Sequence, residues 1–239
     1  DGLWDPYGDR HMGSCAEKCA ADHGIDRDAQ DTYAELSYER ARAAKGFHAQ
    51  EIVPVEVSVR RKTVMITEDE EPTKDTAKLR SLRSAFQKDG TVTAANASKL
   101  NDGAAALVVM SLAECEKRGL EPLCAIAGFA DAQHAPVDFT IAPSLAVPAA
   151  LHHAELELED VSIHEVNEAF SVVALANAQL LGIDVDRVNK RGGAVALGHP
   201  IAMSGARIVG SLAMQLEDAG VASICNGGGG ASAVVLRKI

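Results

Sequence analysis

Four glycines in succession, Gly227 to Gly230, stand between two β-prone runs, ASI before Cys225 and ASAVVL from Ala231. Consecutive glycines cost more chain entropy than any other run, so a chain keeps them where it must turn sharply or bring its backbone against something else. The arrangement places Cys225 at a strand end and predicts that the glycines return the chain into the next strand. A phosphate-cradling loop is disfavoured, because no Lys-Ser/Thr follows the glycines and no helix opens there. Two readings of Cys225 stand side by side. One is a hairpin with a buried thiol. The other is a thiolate beside backbone N–H groups that approach a developing oxyanion.

The rest of the second half supports a layered sheet. From Leu123 the pattern predicts a strand at 123–130, a helix at 145–155, a strand at 161–166, helices at 168–181 and 203–219, and strands at 222–225 and 232–237. Strands alternating with helices imply an α/β fold. Upstream, the spacing predicts helices at 12–23 and 27–45, the second beginning near Asp26. Residues 51–59 alternate apolar and polar as a strand does, and 60–80, broken by Pro72, read as a loop. TVTA (91–94) is β-prone, NASKLNDG is turn chemistry, and AAALVVMSLAECEKRG runs on as an apolar segment into a helix. No repeat of 20–50 residues is evident.

Composition narrows the function classes. The 239 residues are 47% hydrophobic and 24% charged, with a net charge of −11. That argues against a general nucleic-acid binder, which needs clustered Lys and Arg. Lys78, Arg80, Arg83 and Lys88 form one local basic cluster, read either as a patch for a nucleotide-like cofactor or as a solvated helix face. No run of about 18 apolar residues marks a membrane span. No signal peptide is visible, but the chain starts at Asp1 rather than Met, which leaves a targeting segment open. The cysteines, Cys15, Cys19, Cys115, Cys124 and Cys225, are odd in number and irregular in spacing, as free thiols in a reducing compartment are. His11, Cys15, Cys19 and His23 recur every four residues and invite a metal reading. Helical geometry rejects it: the outer pair would lie about 18 Å apart along the axis, whereas zinc ligands sit about 2.0–2.3 Å from one ion. His152 and His153 read as surface residues.

Two further constellations carry chemistry. Gly192 to Pro200 places His199 in a tight Gly/Pro setting, with Ser204-Gly205-Ala206 opening the next helix. His199 reads either as a satisfied structural histidine or as an imidazole in a crowded reactive loop, able to accept a proton or steady negative charge. In VNEAF (166–170), Asn167 reads either as a helix N-cap or as an amide that orients a water or an oxyanion at the strand's C-terminal edge.

With HMGSCAE (11–17), GTVTAANASKLNDGAAAL (90–107), FADA (129–132), VNEAF (166–170), GGAVALGHPIAMSGAR (192–207) and CNGGGGASA (225–233) taken together, the chain resembles the thiolase family, its biosynthetic acetyl-CoA acetyltransferases in particular. TVTAANAS and ICNGGGGASA look most like the mitochondrial, potassium-stimulated type. The resemblance implies a layered α-β-α-β-α fold, present here as a loop domain covering coenzyme A (1–88), the closing strand and helix of the first half (89–118) and the complete C-terminal half (119–239). It implies a reversible Claisen condensation of two acetyl-CoA into acetoacetyl-CoA and coenzyme A. His199 matches the histidine that activates an acyl-accepting cysteine, Cys225 the acid/base cysteine, Asn167 the residue that orders a water in an oxyanion hole, and Gly227 a backbone donor in a second hole. His11 and Ser98 match positions beside pantetheine, and Leu82 one near adenine. Tyr38, Ala94, Ala95, Ala97 and Val195 match a potassium site. The family's acyl-accepting cysteine precedes the loop domain and is not in this sequence, and Cys15 does not replace it. The resemblance therefore implies a fragment that works with a missing N-terminal half, in a homo-oligomer (dimer or tetramer) serving ketone body and lipid metabolism, in a mitochondrion rather than the cytoplasm. Lys99, Arg191 and Ala202 depart from the family pattern near the pocket. Rival readings are a non-catalytic thiolase-like subunit that binds coenzyme A or a partner, and a β-ketoacyl synthase relative, which generally carries two histidines at the site.

Overall fold

The computed structural model describes residues 2–60 and 62–239. A two-residue ladder, β1 (Trp4–Asp5) with β2 (Arg10–His11), leads into α1 (Met12–Asp22). Helix α1 buries Met12, Cys15, Ala16, Cys19 and Ala20, a stripe at helical spacing. Helix α2 (Arg27–Ala43) opens on Asp26, whose carboxylate accepts from Ala29 N at 2.8 Å, and closes with Arg40 and Arg42 in its last turn. Both ends thus complement the helix dipole. α3 (Lys45–Glu51) and an antiparallel hairpin of β3 (Val55–Val59) and β4 (Lys62–Ile66) follow.

The second half holds α4 (Leu112–Arg118), β5 (Ala125–Gln133), α5 (Pro143–His153), β6 (Ile163–Val166), α6 (Ser171–Leu181), the short α7 (Ala194–Leu197), α8 (Ser204–Gln215), β7 (Ala219–Asn226) and β8 (Gly230–Arg237). The four strands of this half form one sheet in the order β5-β8-β7-β6, in which only β6 and β7 run parallel. Parallel neighbours need a long crossover, here the chain from α6 through α8. Alternation along each strand divides the core. Val221 of β7 with Ala231, Ala233 and Val235 of β8 packs under α5. Ile163, Ala222 and Leu236 meet Ile208, Leu212 and Leu216 on the opposite face, under α8. Helix α6 lies on the α5 side and is itself covered by α1. The α/β layering expected from the alternation is therefore present.

Several expectations need correction. The strand expected over 51–59 begins at Val55, because α3 runs to Glu51. The loop expected over 60–80 contains β4, which pairs with β3 and satisfies its ladder locally; Arg61, within that span, lies outside the described residues. Helix 168–181 starts only at Ser171, so Asn167 is no N-cap. The closing strand implied within 89–118 does not form. Residues 98–111 join no ladder among the described residues, since no strand lies beside them to share hydrogen bonds. An apolar strip is left open there and along β5, including Val108, Val109, Leu123, Ile126 and Phe129. Of the basic cluster, Arg80 lies in a three-residue 3-10 turn and pairs with Asp28 and Glu35, so it is neither free for an anion nor on a helix face. All five cysteines are unpaired.

Strand β6 also carries two buried titratable neighbours of opposite behaviour. Burial pushes the Glu165 carboxyl up to about 7, with Arg207 and Gln215 opposing. Burial, with Arg187, pulls the His164 imidazole down to about 4. Between pH 4.5 and 7 folded Glu165 holds a proton that the unfolded chain has lost, so its contribution falls as pH rises. Between pH 4 and 6.5 unfolded His164 holds a proton that the folded chain refuses, so its contribution rises with pH. The two slopes oppose each other. Replacing Glu165→Gln is expected to expose the histidine slope: urea unfolding should show stability climbing by about 3 kcal/mol from pH 4 to 6.5, where the wild type is much flatter. Parallel pH profiles for the two proteins would contradict this.

Candidate active site

At the C-terminal end of the parallel pair, β6 and β7 hold their last residues side by side: Val166 pairs with Ser223, and Asn167 N donates to Ser223 O at 2.9 Å. Cys225 lies two residues further along β7, on the same strand face as Ser223. It is buried against the core that includes Met12, Cys19 and Phe170. Burial pushes its thiol up to about 12, and neighbouring Cys19 adds to the rise. At neutral pH Cys225 is thus a protonated thiol whose thiolate, once formed, is an unusually strong base. The glycine turn that follows keeps Gly229 at φ +95°, with the His134 carbonyl against its Cα where a Cβ would stand. Only glycine permits that approach. Gly227 abuts Met12, so the turn reaches the first residue of α1.

His199 approaches from the loop before α8. Its Nδ1 lies 2.5 Å from Ser204 Oγ, which donates to Pro200 O at 3.1 Å. Asn167 Nδ2 lies 3.3 Å from His199 Nε2. An amide nitrogen only donates and the Ser204 proton is committed to Pro200, so the proton sits on Nδ1 and Nε2 carries the lone pair. Burial, aided by Arg207, lowers the His199 imidazole below its ordinary value and favours this neutral form. The N-cap alternative for Asn167 gives way to a pairing with His199, and Asn167 Oδ1 is buried without a protein partner. Through Asn167 the geometry brings His199 and the Cys225 strand to one end of the sheet.

Glu168, fully buried beside Asn167, holds this end together. Its carboxylate accepts from Tyr33 Oη (2.8 Å), Ser37 Oγ (2.8 Å), Asn189 Nδ2 (2.8 Å) and Val195 N (3.0 Å). It thereby ties α2 and α7 to the β6 terminus. Gly193 leaves room for it, since a Cβ there would overlap the carboxyl group. Nothing in the sequence singled out Glu168, Tyr33, Ser37 or Asn189, because a lone acid after a strand carries no sign of its partners.

The remaining sequence-predicted residues fall around this centre. Ser98 donates through N and Oγ to Ala169 O, at 3.0 and 2.9 Å, and so lies beside the β6–α6 turn. His11 caps α1 by accepting from Gly13 N at 3.0 Å, its ring tilted against Phe86. Leu82 is exposed, with its carbonyl held by Arg27 at 2.8 Å. Ala94 and Ala95 lie in a turn and Ala97 bridges Phe170. Tyr38 and Val195 do converge, but on Lys99: its Nζ donates to Tyr38 Oη at 2.7 Å and Val195 O at 3.2 Å. This donor set does not fit a potassium ion, because a second cation about 4 Å from an ammonium is repelled by about 4 kcal/mol at an intermediate dielectric. A cleft of about 640 Å³ between α2, α3 and residues 67–76 includes Leu197 but none of Asn167, His199 or Cys225.

Comparison with known proteins shows the family. Family models described as thiolase, N-terminal domain, and thiolase, C-terminal domain, match residues 1–113 and 120–238. The chain belongs to the thiolase family, a class of acyltransferases. Among its curated relatives are acetyl-CoA acetyltransferase of Yarrowia lipolytica, 52% identical over all of this chain and 62% of the relative, and the mitochondrial acetyl-CoA acetyltransferase of Mus musculus, 53% identical over all of this chain and 58% of the relative. Among solved structures, an acetyl-CoA acetyltransferase of Bacillus anthracis superposes with a TM-score of 0.95 at 40% identity, covering 99% of this chain and 62% of that one. A thiolase of Ascaris suum in complex with coenzyme A gives 0.93 at 47%, covering all of this chain and 63% of that one. The chain thus spans roughly three fifths of the length of these relatives.

Replacing Glu168→Ala strands four buried donors, and is expected to cost about 3 kcal/mol or more in urea unfolding. Gly193→Ala should destabilise by a comparable amount, by driving a methyl into the same carboxylate, while Gly46→Ala, which meets no neighbour, should not.

Proposed function

We propose that this chain carries the proton-transfer and oxyanion-holding part of an acetyl-CoA C-acetyltransferase, which condenses two acetyl-CoA reversibly into acetoacetyl-CoA and coenzyme A. The observation that carries the reading is the Asn167–His199 contact, which leaves a neutral imidazole with its Nε2 lone pair at the sheet end where β7 delivers Cys225. The relatives' names supply the substrate.

In this reading His199 Nε2 takes the proton of an acyl-accepting thiol. That thiol belongs to thiolase sequence packed on the apolar strip of residues 98–111 and β5. It attacks the thioester carbonyl of acetyl-CoA, and the departing coenzyme A thiolate takes the proton of Cys225. The Cys225 thiolate then removes an α-proton from a second acetyl-CoA. The resulting enolate oxygen is held by the protonated His199 and by a water on Asn167 Oδ1, which is buried and free to accept. The enolate carbon attacks the acyl carbonyl, with the Gly227 N–H on the developing oxyanion, and the nucleophilic thiolate leaves and recovers its proton from His199. No proton is left over. Oxyanion donors of this kind contribute about 10²–10³-fold each, and a positioned acid/base about 10²–10⁴-fold. His11, Ser98 and Leu82 are proposed to line the coenzyme A arm. A mitochondrial setting is proposed on the relatives that are named mitochondrial, and a homo-oligomeric assembly on the family resemblance alone.

Assayed in the complete natural polypeptide, Cys225→Ala is expected to abolish condensation while intact-mass analysis still detects acetylated enzyme. Loss of both steps, or of neither, would overturn the role given to Cys225. The acid limb of kcat/KM should report His199 protonation below the ordinary imidazole value, because protonation removes the Nε2 lone pair.

A further inference from the structure

The Lys99 side chain stands apart from the reaction sequence above, yet it touches the loop that carries His199 twice. Its backbone carbonyl accepts from His199 N at 2.8 Å, and its ammonium donates to Val195 O at 3.2 Å, four residues before His199. The same ammonium donates to Tyr38 Oη at 2.7 Å and lies 5.2 Å from the centre of the Tyr38 ring, a cation–π contact. The buried Glu71 carboxylate places Oε2 3.8 Å away, with Lys74 on its other oxygen. One positive charge is thus seated among a carbonyl, a phenol oxygen, an aromatic face and a carboxylate, and it joins α2 to α7, just before the His199 loop.

Two of the oxygens around that charge, Tyr38 Oη and Val195 O, belong to the set the sequence resemblance allots to a monovalent metal ion, and an ammonium is close to potassium in size and in its demand for weakly basic oxygens. We infer that Lys99 is a built-in cation, a positioning residue that takes the place of a potassium ion beneath the His199 loop and makes the protein indifferent to potassium. Burial lowers the Lys99 amine and the Glu71 carboxylate opposes that fall, so the carboxylate helps keep the charge in place. The inference goes beyond the proposed reaction and does not depend on it, because its test needs no turnover.

The test is thermal unfolding of the wild type, Lys99→Ser and Lys99→Met in KCl and in choline chloride at equal ionic strength. The wild-type melting temperature is expected to be the same in both salts. Lys99→Ser, which frees the oxygens and leaves space, should melt several degrees lower in choline chloride and regain most of the loss in KCl. Lys99→Met, which fills the space without charge, should melt lower in both salts without potassium rescue. Potassium-specific stabilisation of the wild type overturns the inference without reference to any variant. So does a Lys99→Ser protein that melts alike in the two salts.

Discussion

A single buried carboxylate organises the functional end of this molecule. Glu168 receives its hydrogen bonds from neutral groups only: a phenol and a hydroxyl of α2, the Asn189 amide and the Val195 backbone N–H, drawn from three separate stretches of chain. Hydrogen bonds to a charged acceptor are worth about 1.5–3 kcal/mol each, and a donor left alone in the interior costs about as much. Each partner is therefore strongly constrained to stay. Because the acid directly follows Asn167, the same bonds that bring α2 and α7 to the strand end also fix the amide that faces His199.

Around that anchor the site is built from small, satisfied polar steps. His199 is held on one nitrogen by Ser204 and faced on the other by Asn167, so its tautomer is set by its neighbours. Cys225 has the opposite environment, an apolar core that withholds solvent and raises its thiol. Two proton-handling groups with displaced affinities in opposite directions, one base made weaker and one acid made weaker, suit a reaction in which one accepts a proton while the other gives one up. Lys99 adds a positive charge beside α7 and the loop that carries His199.

Much of this was legible in the sequence, and unevenly so. The hairpin at Gly227–Gly230 follows directly from glycine's freedom, and the layered sheet from the alternation of strand and helix patterns. Asn167, His199 and Cys225 stood out by residue type and setting, each with a structural reading beside the chemical one, and their roles came only with the family resemblance. The closing strand within 89–118 did not form because a strand is a relation between chains of hydrogen bonds, and its apolar pattern names no neighbour. The β4 strand was hidden by the charges and the proline around it. Glu168 was invisible for a different reason: its meaning lies in Tyr33, Ser37, Asn189 and Val195, up to 135 residues away. Lys99 was noticed only as an odd residue beside Ser98, and the fold turns that oddity into a contact with Tyr38 and Val195.

The parallel pairing of β6 with β7 has a structural corollary. Asn167 and Cys225 depart from neighbouring strands at the same end, so ladder register sets their separation, and the fifty-odd residues of crossover between them do not. Insertions or deletions within that excursion can accumulate on the outer layer while the spacing of the two groups stays fixed to a fraction of a strand repeat. The sheet acts as a ruler for these two groups, while α7 and the His199 loop are held to it by Glu168 and Asn167.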